Sequence, residues 1–413
     1  YSHNFLLLDM LSETSVILMI LGSAGILLIG FIGNTLAKKT RVPSIIWLVT
    51  FGIILGPVLD LVPRELLLNL SPLVSTVVLT VVLFDAGLRL DIFKSLRLLP
   101  ISTLLAIVNF VLSAAITTVI MMFLGYSFIV SLLFGFIIGG TSVAVIPVIS
   151  RQIKMKQKTR MIVTLEATLT DPLGIVLTLA IISIITLSYF SVVSAVSTIL
   201  SSFSIGIVLG AVLGLAWIPV MSYLQDKQYE FSYVASLSLV FIIYILVQYF
   251  GGSGPLSALT FGVIIANGEM IYKTLRYRHH RSFTLSQESK DFNYLITFIV
   301  SSFFFVYLGG LIVLSDWYDF IIGMGIGVAL ALIRLLGTRL TFIKSRIASS
   351  DIHDIQSMVS RGLGAAVLST LPLEYGIAHA QNLINITFAI IFTTIFINSV
   401  LLLYYGQNHK KKS

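Results

Sequence analysis

Residues 161–188 read MIVTLEATLTDPLGIVLTLAIISIITLS, an apolar run whose only formal charges are Glu166 and Asp171. A helix needs about 20 apolar residues to cross a ~30 Å hydrocarbon core, and this run supplies them. Acids inside such a run are expensive, because a charge at membrane depth persists only where it is paired or put to use. The five-residue step from Glu166 to Asp171 turns the two side chains ~140° apart at ~100° per helical residue. They therefore serve different partners. Pro172 removes a helix hydrogen bond and crowds the carbonyl of Thr168. Freed backbone oxygens beside a carboxylate suit a hard cation.

The rest of the chain repeats the apolar pattern. Of 413 residues, 57% are hydrophobic and 11% charged, with a mean hydropathy of +1.01. A soluble domain carries roughly 25% charged residues to wet its surface, so lipid must serve as part of the solvent here. No alternating strand pattern of outer-membrane-barrel type is present. The absence of cysteine excludes disulfides, thiolate metal sites and cysteine nucleophiles. The reading is an all-α polytopic membrane protein of about thirteen spans, at roughly 15–36, 44–62, 72–90, 101–125, 128–150, 161–188, 195–224, 231–250, 255–271, 292–314, 318–338, 355–375 and 383–405. Residues 1–413 form one transmembrane domain. Its longest polar stretch, Tyr272 to Asp291, is expected as a basic cytoplasmic loop, and the basic tail Asn408 to Lys412 is expected near anionic headgroups.

Charge distribution orients the chain. Of the 26 Lys and Arg residues, 23 fall in the loops after odd-numbered spans, taking Arg89 with the loop that follows it. Only Arg64 lies after an even-numbered span, and Arg334 and Arg361 lie inside spans 11 and 12. The positive-inside rule then puts the amino terminus outside and the carboxyl terminus in the cytoplasm. The net charge of +8 thus belongs to the membrane face rather than to a nucleic-acid interface. A cytoplasmic membrane is the expected location.

Most acids sit in loops or at span ends, and three lie well inside spans: Asp85, Glu166 and Asp171. Two can be neutralised by Arg334 and Arg361, leaving one carboxylate without a fixed cation. Asp171 is the expected ion carrier and Glu166 the partner of Arg334. Span 5 carries Gly139-Gly140-Thr141-Ser142 and Pro147, and span 12 carries Ser360-Arg361-Gly362-Leu363-Gly364 and Pro372. Interruptions at corresponding places predict broken helices meeting at a midplane site, and a seven-span offset makes the two antiparallel, as in an inverted repeat. Smaller signals carry blander readings. Gly22, Gly25, Gly30 and Gly33 make a small-residue stripe in span 1, suited to helix packing within or between chains. No histidine falls mid-span, and Gly251 to Pro255 reads as a helix-connecting loop rather than a nucleophile turn.

These motifs resemble the monovalent cation/proton antiporter superfamily, and within it the sodium/proton branch of NhaP/NHE type. Glu166-Ala-Thr-Leu-Thr170-Asp171-Pro172 is similar to that branch's Glu-x-x-x-Asn-Asp-Pro. The segment Gly140-Thr141-Ser142 to Pro147 resembles its broken helix, and Leu83-Phe84-Asp85-Ala86-Gly87-Leu88 its Leu-Phe-x-x-Gly-Leu. The resemblance implies a homodimeric elevator with two crossed broken helices. Its ion-transporting core would comprise spans 4–6 and 11–13, about 101–188 and 318–405, and the other helices would form the dimerisation scaffold. It implies Asp171 as the shared ligand of sodium (or lithium) and protons, with oxygens from Thr141, Ser142 and Thr170 around it. It also implies that Arg334 and Arg361 neutralise Glu166 and Asp85. No cofactor is implied; sodium and protons are cargo. The chain departs from the pattern at Thr170, Ser142 and Ala167, where relatives carry more polar or acidic side chains, so potassium/proton exchange is the alternative. An intramembrane aspartyl hydrolase would need two facing aspartates, and neither Asp85 nor Asp171 has the sequence setting of one. A passive channel would need carbonyl-rich filter loops, which the sequence lacks.

Overall fold

The computed structural model describes residues 24–25, 28–33, 35–36, 44–90, 98–143, 146, 155–186, 192–226, 232–274, 287–343 and 348–410. Most of span 1, Pro147, and His3, His279 and His280 lie outside the described residues. Among the described residues all regular structure is helical, as apolar runs in lipid require: a helix satisfies its backbone N–H and C=O groups within the segment.

Helix α1 (Ser44–Ile53) closes in a π turn, Ile54–Val58, around Pro57. It is followed by α2 (Arg64–Arg89), α3 (Leu99–Phe123), α4 (Phe128–Gly139), α5 (Gln157–Thr186), α6 (Val192–Asp226) and α7 (Ser232–Tyr249). Then come α8 (Gly254–Ala266), α9 (Gly268–Thr274), α10 (Gln287–Leu311), α11 (Trp317–Phe342), α12 (Ser349–Gln356), α13 (Leu363–Glu374) and α14 (Ala380–Lys410). Among the described residues, seven helices are long and apolar enough to cross a membrane, and five shorter apolar ones accompany them. Each element from α1 onward coincides with one of the spans read from the sequence, but polar ends extend several helices. α2 begins at Arg64, and α10 at Gln287 inside the stretch read as loop. Span 12 begins six residues before its predicted start, because its first half is the polar helix α12, which hydropathy does not register.

Local chemistry sets the ends. Gly125, with φ +91°, turns α3 into α4, and Ser127 caps α4 by accepting the N–H of Val130. The Gly251 to Pro255 segment is a connection of the same kind. Gly251 takes φ +73°, Ser253 caps α8 and Pro255 occupies its first turn, the arrangement expected where a side-chain oxygen and a proline replace missing helix partners. α5 runs straight through Pro172.

The chain forms two compact units, one of residues 1–70 and 298–312, the other of residues 71–297 and 313–413. In the first, Gly52 of α1 and Gly56 of the π turn lie against Gly309 and Gly310 of α10, close enough that a Cβ on Gly56 would come within 2.8 Å of the Gly310 Cα. A G-x-x-x-G face lets two helix backbones touch in lipid, where packing rather than the hydrophobic effect drives association. In the second unit, α3 packs on α4, α5 and α11, and α11 on α14. The short helices α12 and α13 fill the middle, against α5 and α11 and against α4, α5 and α14 respectively. α8 lies between α6 and α7.

Candidate ion site at the crossing of two broken helices

Helix α4 stops at Gly139 and leaves residues 140–143 extended or irregular. Helix α12 stops at Gln356, residues 357–362 unwind, and α13 resumes at Leu363. The two unwound segments cross and are joined by a hydrogen bond from Ser142 N–H to the Ser360 carbonyl, 2.9 Å. Gly362 lies at the crossing because Ser142 Oγ occupies the place a Cβ would take. The expected pair of broken helices is therefore present, though Pro147 lies outside the described residues.

Helix α5 passes beside this crossing with Thr170 and Asp171. Thr170 Oγ1 donates to the Ala167 carbonyl at 3.1 Å and accepts the Thr141 N–H at 3.2 Å, and the two threonine hydroxyls are 3.5 Å apart. Both threonines are buried, whereas Ser142 and Asp171 are partly exposed. Asp171 faces the start of α13: a Cβ on Gly364 would stand 2.9 Å from its Oδ1. A helix N-terminus carries partial positive charge and suits an anion there. Among the described residues no lysine or arginine pairs with Asp171 within ion-pair distance. No group of three His, Cys, Asp or Glu side chains gathers there either, so the cation ligands available are one carboxylate, hydroxyls and carbonyls, a donor set for hard cations.

The remaining intramembrane charges are arranged around the crossing. Glu166 and Arg334, 1% and 3% exposed, form a bidentate pair. Arg334 Nη2 reaches Glu166 Oε2 at 2.8 Å and Nη1 bonds Oε1. Arg334 also donates from Nε and Nη2 to the Ile355 carbonyl, at 3.2 and 3.1 Å, so it caps the C-terminal end of α12 as well as neutralising Glu166. Asn109 of α3 adds an amide to Glu166 at 3.4 Å.

Arg361 does not neutralise Asp85, contrary to the sequence reading. Its guanidinium donates to the Ile138 carbonyl at 2.7 Å, the Val359 carbonyl at 3.1 Å and Ser113 Oγ at 2.9 Å. It therefore caps the C-terminal end of α4, whose last carbonyls have no helical partner and carry partial negative charge. Asp85 is held instead by Arg89, one turn further along the same helix face, at 2.8 Å. Asn293 Nδ2 donates to its other oxygen at 2.5 Å, and Tyr233 donates to Asn293 Oδ1. The physical reason is local: an i, i+4 pair at a helix end forms without tertiary help, while an arginine in an unwound segment is claimed first by orphaned carbonyls. Each broken helix that ends at the crossing thus has its own arginine cap.

Reading the sequence for charges missed Asn109, Ser113, Tyr233 and Asn293. A signal existed for two of them. Ser102, Asn109, Ser113 and Thr117 form a polar stripe on α3, all buried, at the three- to four-residue spacing of one helix face.

Comparison with known proteins agrees with this architecture. The family model for the sodium/hydrogen exchanger, transmembrane, matches residues 24–403. Probable Na(+)/H(+) antiporter 2 of Methanocaldococcus jannaschii is 28% identical over 232 residues, 54% of each chain. K(+)/H(+) antiporter NhaP2 of Shewanella sp. (strain ANA-3) is 26% identical over 332 residues, 79% of this chain and 55% of that one. The chain thus spans about half the length of these two relatives. It covers 78% of a third, Na(+)/H(+) antiporter 1 of M. jannaschii, at 25% identity. The solved structure of the sodium proton antiporter MjNhaP1 from M. jannaschii at pH 8 superposes with a TM-score of 0.77, covering 95% of this chain and 98% of that chain at 20% identity, and so has the same fold. The match over nearly the whole chain places this multi-pass membrane protein in the sodium/hydrogen exchanger family, a family of transporters rather than enzymes.

Proposed function

We propose that the chain exchanges a monovalent cation for protons across a cytoplasmic membrane, with Asp171 as the ligand the two share. The observation that carries this reading is the position of Asp171. Of Asp85, Glu166 and Asp171 it is the one with no lysine or arginine within ion-pair distance among the described residues, and it lies beside the crossing of two unwound segments. Burial penalises an uncompensated charge, so a proton and a cation compete for the same carboxylate. If only the loaded site crosses, exchange is obligatory, and a single acid makes one proton per cation the simplest stoichiometry. Thr141, Thr170 and Ser142 contribute neutral oxygens. Glu166 with Arg334, and Asp85 with Arg89, are structural pairs.

Sodium is the cation implied by the sequence resemblance, and it is named for MjNhaP1 and two of the relatives. Potassium is the second reading: it is named for NhaP2 and favoured by the neutral side chains at 142 and 170. In an elevator arrangement, α3, α4, α5 and α11 to α14 form the moving core and the other helices a scaffold that pairs two copies. The amino terminus is outside and the carboxyl terminus cytoplasmic. A cysteine introduced at Lys156, whose side chain is 63% exposed, should react with an impermeant maleimide only from the cytoplasmic side.

The test is transport in proteoliposomes. A proton gradient is imposed, sodium, lithium or potassium is added, and internal pH is followed for the wild type and Asp171→Asn. Cation-dependent dissipation that vanishes in Asp171→Asn is the expected result. Dissipation that persists in the mutant removes Asp171 from the mechanism, and its absence with every cation removes exchange.

A further inference from the structure

Resting on the reading that Asp171 carries the exchanged cation, we propose that Ser142 is the specificity-determining residue: its neutral hydroxyl makes a one-carboxylate site that favours potassium and rubidium over sodium and lithium. Ser142 Oγ and the Asp171 carboxylate lie against one strip of backbone, Gly362 to Gly364, each at the position where a glycine lacks a Cβ. Those two glycines are two residues apart, which bounds their Cα separation at ~7 Å. The Ser142 backbone is held in place by its bond to the Ser360 carbonyl, 2.9 Å.

Solvent access selects the same two residues. Thr141 and Thr170 are buried and bonded to each other, while Ser142 and Asp171 are the partly exposed members of the site. A cation that arrives from water therefore reaches Asp171 and Ser142, which stand against neighbouring positions of the Gly362 to Gly364 strip, before the buried threonine hydroxyls. Among the described residues, neither of the other two acids well inside the spans is available as a second anion. Glu166 is taken by Arg334, and both oxygens of Asp85 are taken by Arg89 and Asn293.

One carboxylate in a ring of dipoles is a weak-field shell. Small alkali cations hold their water most tightly, and only strong-field ligands repay its removal, so a shell of this kind disfavours sodium and lithium relative to larger ions. Position 142 is where a second anion would change that balance, because a carboxylate there would stand against the same glycine strip as Asp171 and add to its field.

The experiment measures half-saturating concentrations of lithium, sodium, potassium and rubidium in proteoliposomes for wild type, Ser142→Asp and Ser142→Cys. Wild type should saturate with potassium at or below the sodium concentration required. Ser142→Asp should lower the sodium-to-potassium ratio of half-saturating concentrations by about tenfold or more, since charge adds to the field. Ser142→Cys fits the same space beside Gly362 but offers sulfur, a poor ligand for hard cations, and should raise that ratio by about threefold. It keeps the test informative if Ser142→Asp does not fold. A wild type that saturates with sodium or lithium at a lower concentration than with potassium overturns the proposal, as does an unchanged ratio in either variant that still exchanges. Loss of all cation-driven dissipation in the wild type would instead count against exchange at Asp171 itself.

Discussion

Removing the carboxylate of Glu166 should destabilise the protein more than it alters cation affinity, and the size of the effect follows from what the carboxylate touches. Glu166 and Arg334 are 1% and 3% exposed and joined by two parallel hydrogen bonds. In Glu166→Ala the guanidinium keeps only its bonds to the Ile355 carbonyl, and a charge without a counter-ion remains at membrane depth. Breaking a buried pair in this way costs about 3–5 kcal/mol. Arg334→Ala strands Glu166 with a long contact to Asn109 and also orphans the Ile355 carbonyl at the end of α12. A buried acceptor left without a partner adds about 1–3 kcal/mol, so this variant should be the worse of the two. The double variant Glu166→Leu/Arg334→Leu removes both charges at once. It should therefore cost less than the sum of the single leucine replacements by at least ~2 kcal/mol. Reversible denaturant titration in mixed micelles of the wild type, both singles and the double measures each quantity. The reasoning would be refuted by strictly additive losses, by a stable Glu166→Ala, or by Glu166→Ala folding normally with altered cation affinity, which would make Glu166 a ligand rather than a brace.

Further consequences can be checked at single positions. Gly364→Ala would set a methyl 2.9 Å from Asp171 Oδ1; it should abolish or strongly slow exchange with little loss of thermal stability, whereas Gly325→Ala, which meets nothing within 4 Å, should leave both unchanged. Arg361→Lys keeps the charge but cannot span the carbonyls of Ile138 and Val359 and the Ser113 hydroxyl together. It should lose about 1–3 kcal/mol for a stranded acceptor, visible as a lowered denaturation midpoint. In the first turn of α11, Asp319 is 3% exposed and held by the amides of Asn382 and Asn385 of α14. Asn385 also accepts the Val313 N–H. Asn385→Ala should cost about 1–3 kcal/mol for the buried groups it strands, and a neutral outcome would mean that water replaces the amide.

What the sequence determined by itself was whatever depends on composition and period. Apolar runs of membrane length made the apolar helices from α1 onward legible, since hydropathy is an additive property of a segment. The paired interruptions at Gly139-Gly140 and Arg361-Gly362, and the isolation of Asp171 from Glu166 by helical phase, were legible for the same reason. Both are local, and both can be counted along one chain. Glu166 with Arg334 could be named as partners because two opposite charges in lipid have few alternatives.

Tertiary structure decided everything that required choosing among partners. Asp85 took Arg89 at 2.8 Å rather than Arg361, because a neighbour one turn away is already in place. Arg361 went to orphaned carbonyls of α4 and the break, which exist as acceptors only once the helix has unwound. The polar half-helix α12 escaped hydropathy because what keeps it at that depth is packing against α5 and α11 and the Arg334 cap on Ile355, not its own composition. Ser142 could be seen as a serine in the sequence. That its hydroxyl and the Asp171 carboxylate face one strip of glycine backbone depends on three segments, centred near residues 142, 171 and 363, meeting at one point. No single segment contains that information.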